Sequence, residues 1–166
     1  METTPAALSE RLAQLPFRSI VVIAGAPGSG KSTLAEAIVS GQPDAALLPM
    51  DGYHLDDAIL RERGRRPWKG APDTVDVGGL KATLQRLADG EGDVAVPVFD
   101  RDLEISRGSA RIIPSTTRLI VVEGNYLLLD RSPWTSLRSF FDLTIMIEVP
   151  EDELRRRLTA RWQHYG

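Results

Sequence analysis

Cysteine is absent from this sequence, which excludes disulfides and thiolate metal sites within the chain and fits a cytoplasmic setting. Lysine is scarce: only Lys31, Lys69 and Lys81 occur, so 17 of the 20 basic residues are arginine. Positive charge is not in excess, with 20 Lys and Arg against 23 Asp and Glu and a net charge of −3. That balance argues against nucleic acid as a partner, because such binders usually carry a basic domain or stripe. No apolar run approaches the roughly 18 residues needed to span a bilayer, so no membrane insertion is expected. The opening METTPAALSERLAQL lacks a basic stretch followed by an apolar one, and no secretory signal is read there. What is present is ordinary for a folded protein: 42% hydrophobic and 26% charged residues in a chain of 166. This suits one compact domain over 1–166, without linker, repeat or low-complexity tract.

Apolar runs and turn residues alternate along the chain. Residues 19–24 (SIVVIA) form a short β-branched run, as expected of a strand buried on both faces. A glycine-rich turn follows, and Lys31 to Val39 reads as a helix ended by Gly41 and Pro43. Ala45 to Met50, Val94 to Phe99, Leu119 to Val122 and Leu143 to Val149 read as further strands. Helical spacing occupies 53–63 and 77–88, and 103–113 alternates loosely enough for a small hairpin. Pro150 opens a last helix with acids in its first turn and arginines later. Strands alternating with helices predict an α/β fold, a three-layer α/β/α sandwich around a mostly parallel sheet. Ligands of such sheets bind at the carboxyl ends of the strands, which directs attention to Gly25, Asp51, Asp100 and Glu123.

The sharpest motif lies at the first of these ends. Gly25-Ala26-Pro27-Gly28-Ser29-Gly30-Lys31-Ser32 fits G-x-x-x-x-G-K-[ST] without a mismatch, and Thr33 follows it. The glycines let successive backbone N–H groups turn inward toward phosphate oxygens, and the next helix presents its N-terminus to the same anion. Lys31 can reach the β- and γ-phosphates of a nucleotide, and the Ser32 hydroxyl can coordinate Mg2+. A GTPase would read guanine with Asn-Lys-x-Asp, but the only asparagine, Asn125, is followed by Tyr126. An ATP-dependent kinase of small molecules fits the size best.

Two carboxylates end the neighbouring runs. Asp51, in DGYHLD, lies where an acceptor hydroxyl would face the transferred phosphoryl group. Glu123 closes LIVVE, four apolar residues and then an acid that can position Mg2+. The sequence leaves open which is base and which is metal partner; the polar loop around Asp51 favours it as base. Near the end, LRRRLTAR places Arg157 and Arg161 four apart on one helix face.

With these residues in hand, the chain resembles the phosphoribulokinase, uridine kinase and pantothenate kinase group of P-loop kinases. GAPGSGKS, MDGYHLD, PWKGAPDTVD, VPVFDRDLEI and LIVVEGNYLLL occur in that group's order across about residues 18–166. Within it the chain looks most like bacterial fructose transport system kinase (YggC-like) proteins. The resemblance implies Asp51 as catalytic carboxylate, Glu123 as metal-associated acid and Arg157 and Arg161 as lid arginines in a lid of about 151–166. It implies that Tyr53, His54, Lys69, Asp76, Arg101, Asn125 and Tyr126 surround the acceptor pocket. ATP and Mg2+ are the implied cofactors, and a small-molecule acceptor is the implied partner: a sugar such as fructose first, then pantothenate or a nucleoside. A homodimer is admitted. Relatives usually continue past the position of Gly166, so the chain reads as short at its C-terminus. The competing reading is a kinase-like ATP-binding regulatory module without turnover, or another small P-loop ATPase.

Overall fold

A computed structural model describes residues 3–165, apart from the side chains of Arg161, Trp162, His164 and Tyr165. Helix α1 spans Pro5–Gln14 and strand β1 Ser19–Gly25; α2 (Lys31–Ser40) and β2 (Ala45–Pro49) follow. After a 3₁₀ turn at Met50–Tyr53 come α3 (Asp57–Glu62), α4 (Val77–Ala88), β3 (Val94–Asp100) and β4 (Ile105–Ile113). Strand β5 (Leu119–Gly124), a 3₁₀ segment at Trp134–Phe140, β6 (Leu143–Ile147) and α5 (Glu151–Tyr165) complete the order.

Four parallel strands form the main sheet in the order β2-β5-β1-β6. Every residue of β1 and β5 is buried, as their unbroken apolar character requires of central strands covered on both faces. The two-residue period of a strand divides that core cleanly. Ile20, Val22 and Ala24 pack with Leu80, Leu84 and Leu87 of α4, with Val94 and Val96, and with Trp134. Val21 and Ile23 face the other way, onto Leu8 and Leu12 of α1 and Ala35 and Ile38 of α2. This is the expected layering of helices on both sides of a parallel sheet. It brings Gly25, Pro49, Gly124 and Ile147 to one edge, because Gly25 sits opposite Ile147, Ala24 opposite Gly124 and Pro49 opposite Glu123.

The structure corrects the sequence reading in three places. Residues 94–99 do not join the parallel sheet; β3 pairs antiparallel with β4, from Val94 opposite Ile113 to Asp100 opposite Ile105. The signal was Pro97, which has no N–H to give a central strand and sits where the β3–β4 register shifts. The hairpin expected within 103–113 is therefore its second arm alone. Helical structure around 53–63 is limited to α3, which Asp56 caps by accepting a hydrogen bond from the Ala58 N–H at 2.8 Å. Helix α1 was not read from the sequence, although Thr4 as cap and Pro5 at the first helical position are ordinary start signals.

Gly124 is where the strand edge and the turn carrying Asp51 touch. A Cβ there would lie 2.5 Å from Met50 Cβ, an atom too near the backbone to swing aside. Gly124→Ala is therefore expected to force β5 and the 50–53 turn apart and cost about 1–3 kcal/mol of stability. Urea unfolding checks this; an unchanged midpoint would show that the turn is not held by this contact.

Candidate functional site

The phosphate-type loop runs from the end of β1 into α2. Gly28 and Gly30 adopt φ values of +80° and +95°, a region that a side chain would strain, and Gly30 is the residue from which α2 starts. Ser29 is buried, and its hydroxyl has no hydrogen-bond partner. A buried, unsatisfied donor is costly, so this loop is built to receive acceptor oxygens. An open cleft of about 350 Å³ is lined by Gly28, Gly30, Lys31, Ser32, Thr33 and Arg157.

One strand over, Glu123 is buried, and burial pushes its carboxyl above the ordinary glutamate range, an effect reinforced by the charge of Asp51. Lys31, the Ser32 hydroxyl and Arg101 act in the opposite direction. Ser32 Oγ donates to Glu123 Oε2 at 3.2 Å. A hydroxyl and a carboxylate meeting beside a phosphate-binding loop form the oxygen donor set that Mg2+ prefers, and they leave room for the phosphates and waters it also needs. The residues present fit the ion.

Asp51 lies in the 3₁₀ turn that follows β2, with its side chain 26% exposed and Arg101 Nη2 donating to its Oδ2 at 2.9 Å. His54 closes the same turn, its Nδ1 2.8 Å from the Asp51 carbonyl oxygen, and its ring lies 5.1 Å from that of Phe99. Tyr126 donates its hydroxyl to the Gly70 carbonyl at 2.7 Å. Asn125, between Gly124 and Tyr126, has its Oδ1 buried without a partner. Asp51, Glu123, His54, Arg101 and Tyr126 thus gather where the strand ends meet the β3–β4 hairpin.

Other expected positions fall elsewhere or are already engaged. Tyr53 is only 6% exposed and belongs to the core beneath the turn; burial raises its hydroxyl to about 12. The tight turn after Asp51 drives its ring inward rather than toward a ligand. Asp76 caps α4, accepting from the Gly79 N–H at 2.9 Å. Lys69 is bonded to Asp57 Oδ1 at 2.7 Å and to the Glu104 carbonyl. On α5, Arg157 Nη1 donates to the Gly28 carbonyl at 3.2 Å while its Nε is held by Glu153 at 2.7 Å. Leu158 approaches Gly28 beside it and is half-buried rather than core. The Arg161 side chain lies outside the described residues.

Three contributors escaped the sequence reading. Glu153, which orients Arg157, was signalled by its i, i+4 spacing. Asp57 has the same i, i+4 spacing with Arg61, 3.5 Å away, but its pairing with Lys69 and Arg66 and the contacts of Phe99 carried no such signal, because those partners lie on other segments. A larger groove of about 1370 Å³ between α1, α2 and β6 is lined by none of the candidate site residues.

Known proteins place this arrangement. No family model matches the sequence. A crystal structure of a Silicibacter sp. TM1040 protein, proposed to be a fructose transport system kinase, superposes with a TM-score of 0.91. It is 38% identical, over 99% of this chain and 84% of that one. The uncharacterised YggC of Escherichia coli K12 is 39% identical over 150 residues, 87% of this chain and 62% of that protein. The pantothenate kinase of Myxococcus xanthus is 31% identical over 155 residues, 86% of this chain and 49% of that enzyme. The chain thus spans about half to two-thirds of the length of these curated relatives. Sequence, fold and loop geometry agree: the chain belongs to the P-loop kinases of the phosphoribulokinase, uridine kinase and pantothenate kinase group.

Proposed function

We propose that this chain binds ATP with Mg2+ and transfers the γ-phosphoryl group to a hydroxyl of a small metabolite. A sugar such as fructose is the first candidate, ahead of pantothenate or a nucleoside. The observation that carries the reading is the Ser32–Glu123 hydrogen bond beside the glycine loop, with the Asp51 carboxylate at the end of the adjoining strand. The absence of cysteine supports a reducing compartment such as the cytoplasm.

Backbone N–H groups of the 25–32 loop, Pro27 excepted, would bind the phosphate oxygens together with Lys31. Ser32 and Glu123 would hold Mg2+, which when bound neutralises charge on the phosphates. Arg101, bonded to Asp51 at 2.9 Å, must yield as the acceptor enters. Asp51 then takes the proton of the acceptor hydroxyl while its oxygen bonds to the γ-phosphorus and the bond to the β-phosphate oxygen breaks, leaving ADP. Arg157, braced by Glu153 and already in contact with the loop, would stabilise the charge on the transferring group. Arg161 is assigned the same role by its match to the lid arginines of the family. Closure of α5 over the cleft would exclude water and suppress futile hydrolysis.

ADP release from Mg·ATP, measured against fructose and other sugars, pantothenate and uridine beside a no-acceptor control, tests the proposal. Stimulation by one acceptor class is expected; a flat panel despite ATP binding would favour a regulatory module. In the responding assay Asp51→Asn is expected to lower turnover about 10²–10⁴-fold with ATP affinity changed only a few fold. Unchanged turnover would remove Asp51 as the base. Lys31→Ala is expected to weaken both nucleotide binding and rate, and a fully active variant would contradict the phosphate-loop assignment.

A further inference from the structure

The acceptor side of the cleft is organised around the Phe99 ring. His54 packs on it at 5.1 Å, Lys69 Nζ lies 5.6 Å from its centroid and Arg101 Cζ 5.9 Å. Because Arg101 also holds Asp51, these groups border the position where an acceptor hydroxyl must sit. Both cations are committed. Lys69 is only 10% exposed and is held by Asp57 at 2.7 Å and by the Glu104 carbonyl. Asp57 also takes Arg66 at 2.6 Å, and its carboxyl is held below the usual range by the Lys69 hydrogen bond and then by Arg66. Arg107 faces Asp100 at 3.6 Å. Arg111 makes no salt bridge among the described residues, but it lies at the far end of the hairpin, opposite Val96, where it senses the buried Tyr53.

An anionic acceptor beside the Phe99 ring would compete with Asp57 for Lys69 and Arg66 and strip that carboxylate of its two shortest ion pairs. The net charge opposes it as well: segments 51–76 and 100–107 carry nine acids against seven bases. An uncharged polyol displaces Arg101 from Asp51, as any acceptor does, but leaves Lys69 and Arg66 on Asp57, and its hydroxyls can donate to Asp51 and to the unpartnered Asn125 Oδ1. Resting on the kinase reading of this cleft, we infer that the acceptor is an uncharged hydroxyl compound, and that Asp57 sets the preference by occupying Lys69 and Arg66. Asp57 touches neither acceptor nor nucleotide in this account; it acts through the cations it holds.

Two matched pairs differ only in whether a terminal carbon is a carboxylate or an alcohol: gluconate against sorbitol, and pantothenate against pantothenol. Binding of each to the wild-type chain with Mg·ADP, read by ligand-observed NMR titration, is expected to favour the neutral member of at least one pair by about tenfold or more. Asp57→Asn is expected to narrow that ratio at least several fold by improving binding of the anion, and Asp57→Asn with Lys69→Gln is expected to restore it. Equal or stronger binding of the anions by wild type, or no binding by any of the four, overturns the inference. So does a neutral preference that Asp57→Asn leaves intact in a folded variant, because it removes Asp57 as the determinant. Phosphoryl transfer is followed separately: neutral-selective binding without transfer would sink the kinase reading and leave the charge rule standing.

Discussion

A buried carboxylate is expensive unless its surroundings answer it, and Glu123 is the buried carboxylate on which this end of the molecule depends. It stands at the end of a strand with every residue buried, between Ile23 of β1 and Pro49 of β2. Neither neighbouring strand offers it a charge. Its compensation comes from the loop that leaves β1, through the Ser32 hydroxyl and the field of Lys31. The glycines at 28 and 30 let that loop turn back far enough to deliver both. Once the loop is so placed, Arg157 of α5 reaches the Gly28 carbonyl, and the Gly124–Met50 contact fixes how closely the Asp51 turn approaches. The glycine loop, Glu123 and the Asp51 turn are brought together by one strand edge.

Much of this was legible in the sequence, for local reasons. The β1–loop–α2 unit announces itself because a short apolar run, three glycines and a lysine must follow one another in the chain to make it. Glu123 was legible as an acid ending an apolar run, and Asp51 as an acid before a turn glycine. Layering followed from strands with two buried faces. Helix α5 showed its charge pairing in its spacing, and Glu153 could have been read from it.

The rest depended on contacts between distant segments. Residues 94–99 carry the apolar character of an inner strand, yet their partner is Ile105–Ile113 rather than the sheet, and only Pro97 hinted at this. Tyr53 and His54 are adjacent in sequence, but the 3₁₀ turn sends one ring into the core and the other onto Phe99. Lys69 is expected at the acceptor pocket, but Asp57, twelve residues earlier, already holds it. Motifs reveal which residue types are present at a site; the pairing of their charges, which decides what they can still bind, is a property of the fold.

The central claim is that the glycine loop and Glu123 form one nucleotide–metal site. The most direct measurement is Mn2+ binding by EPR, with and without a non-hydrolysable ATP analogue, in the wild-type chain and in Glu123→Gln. Metal binding that strengthens with nucleotide, and that falls about 10–100-fold in the variant, is the expected result. Metal binding indifferent to nucleotide, or to Glu123, would contradict the account.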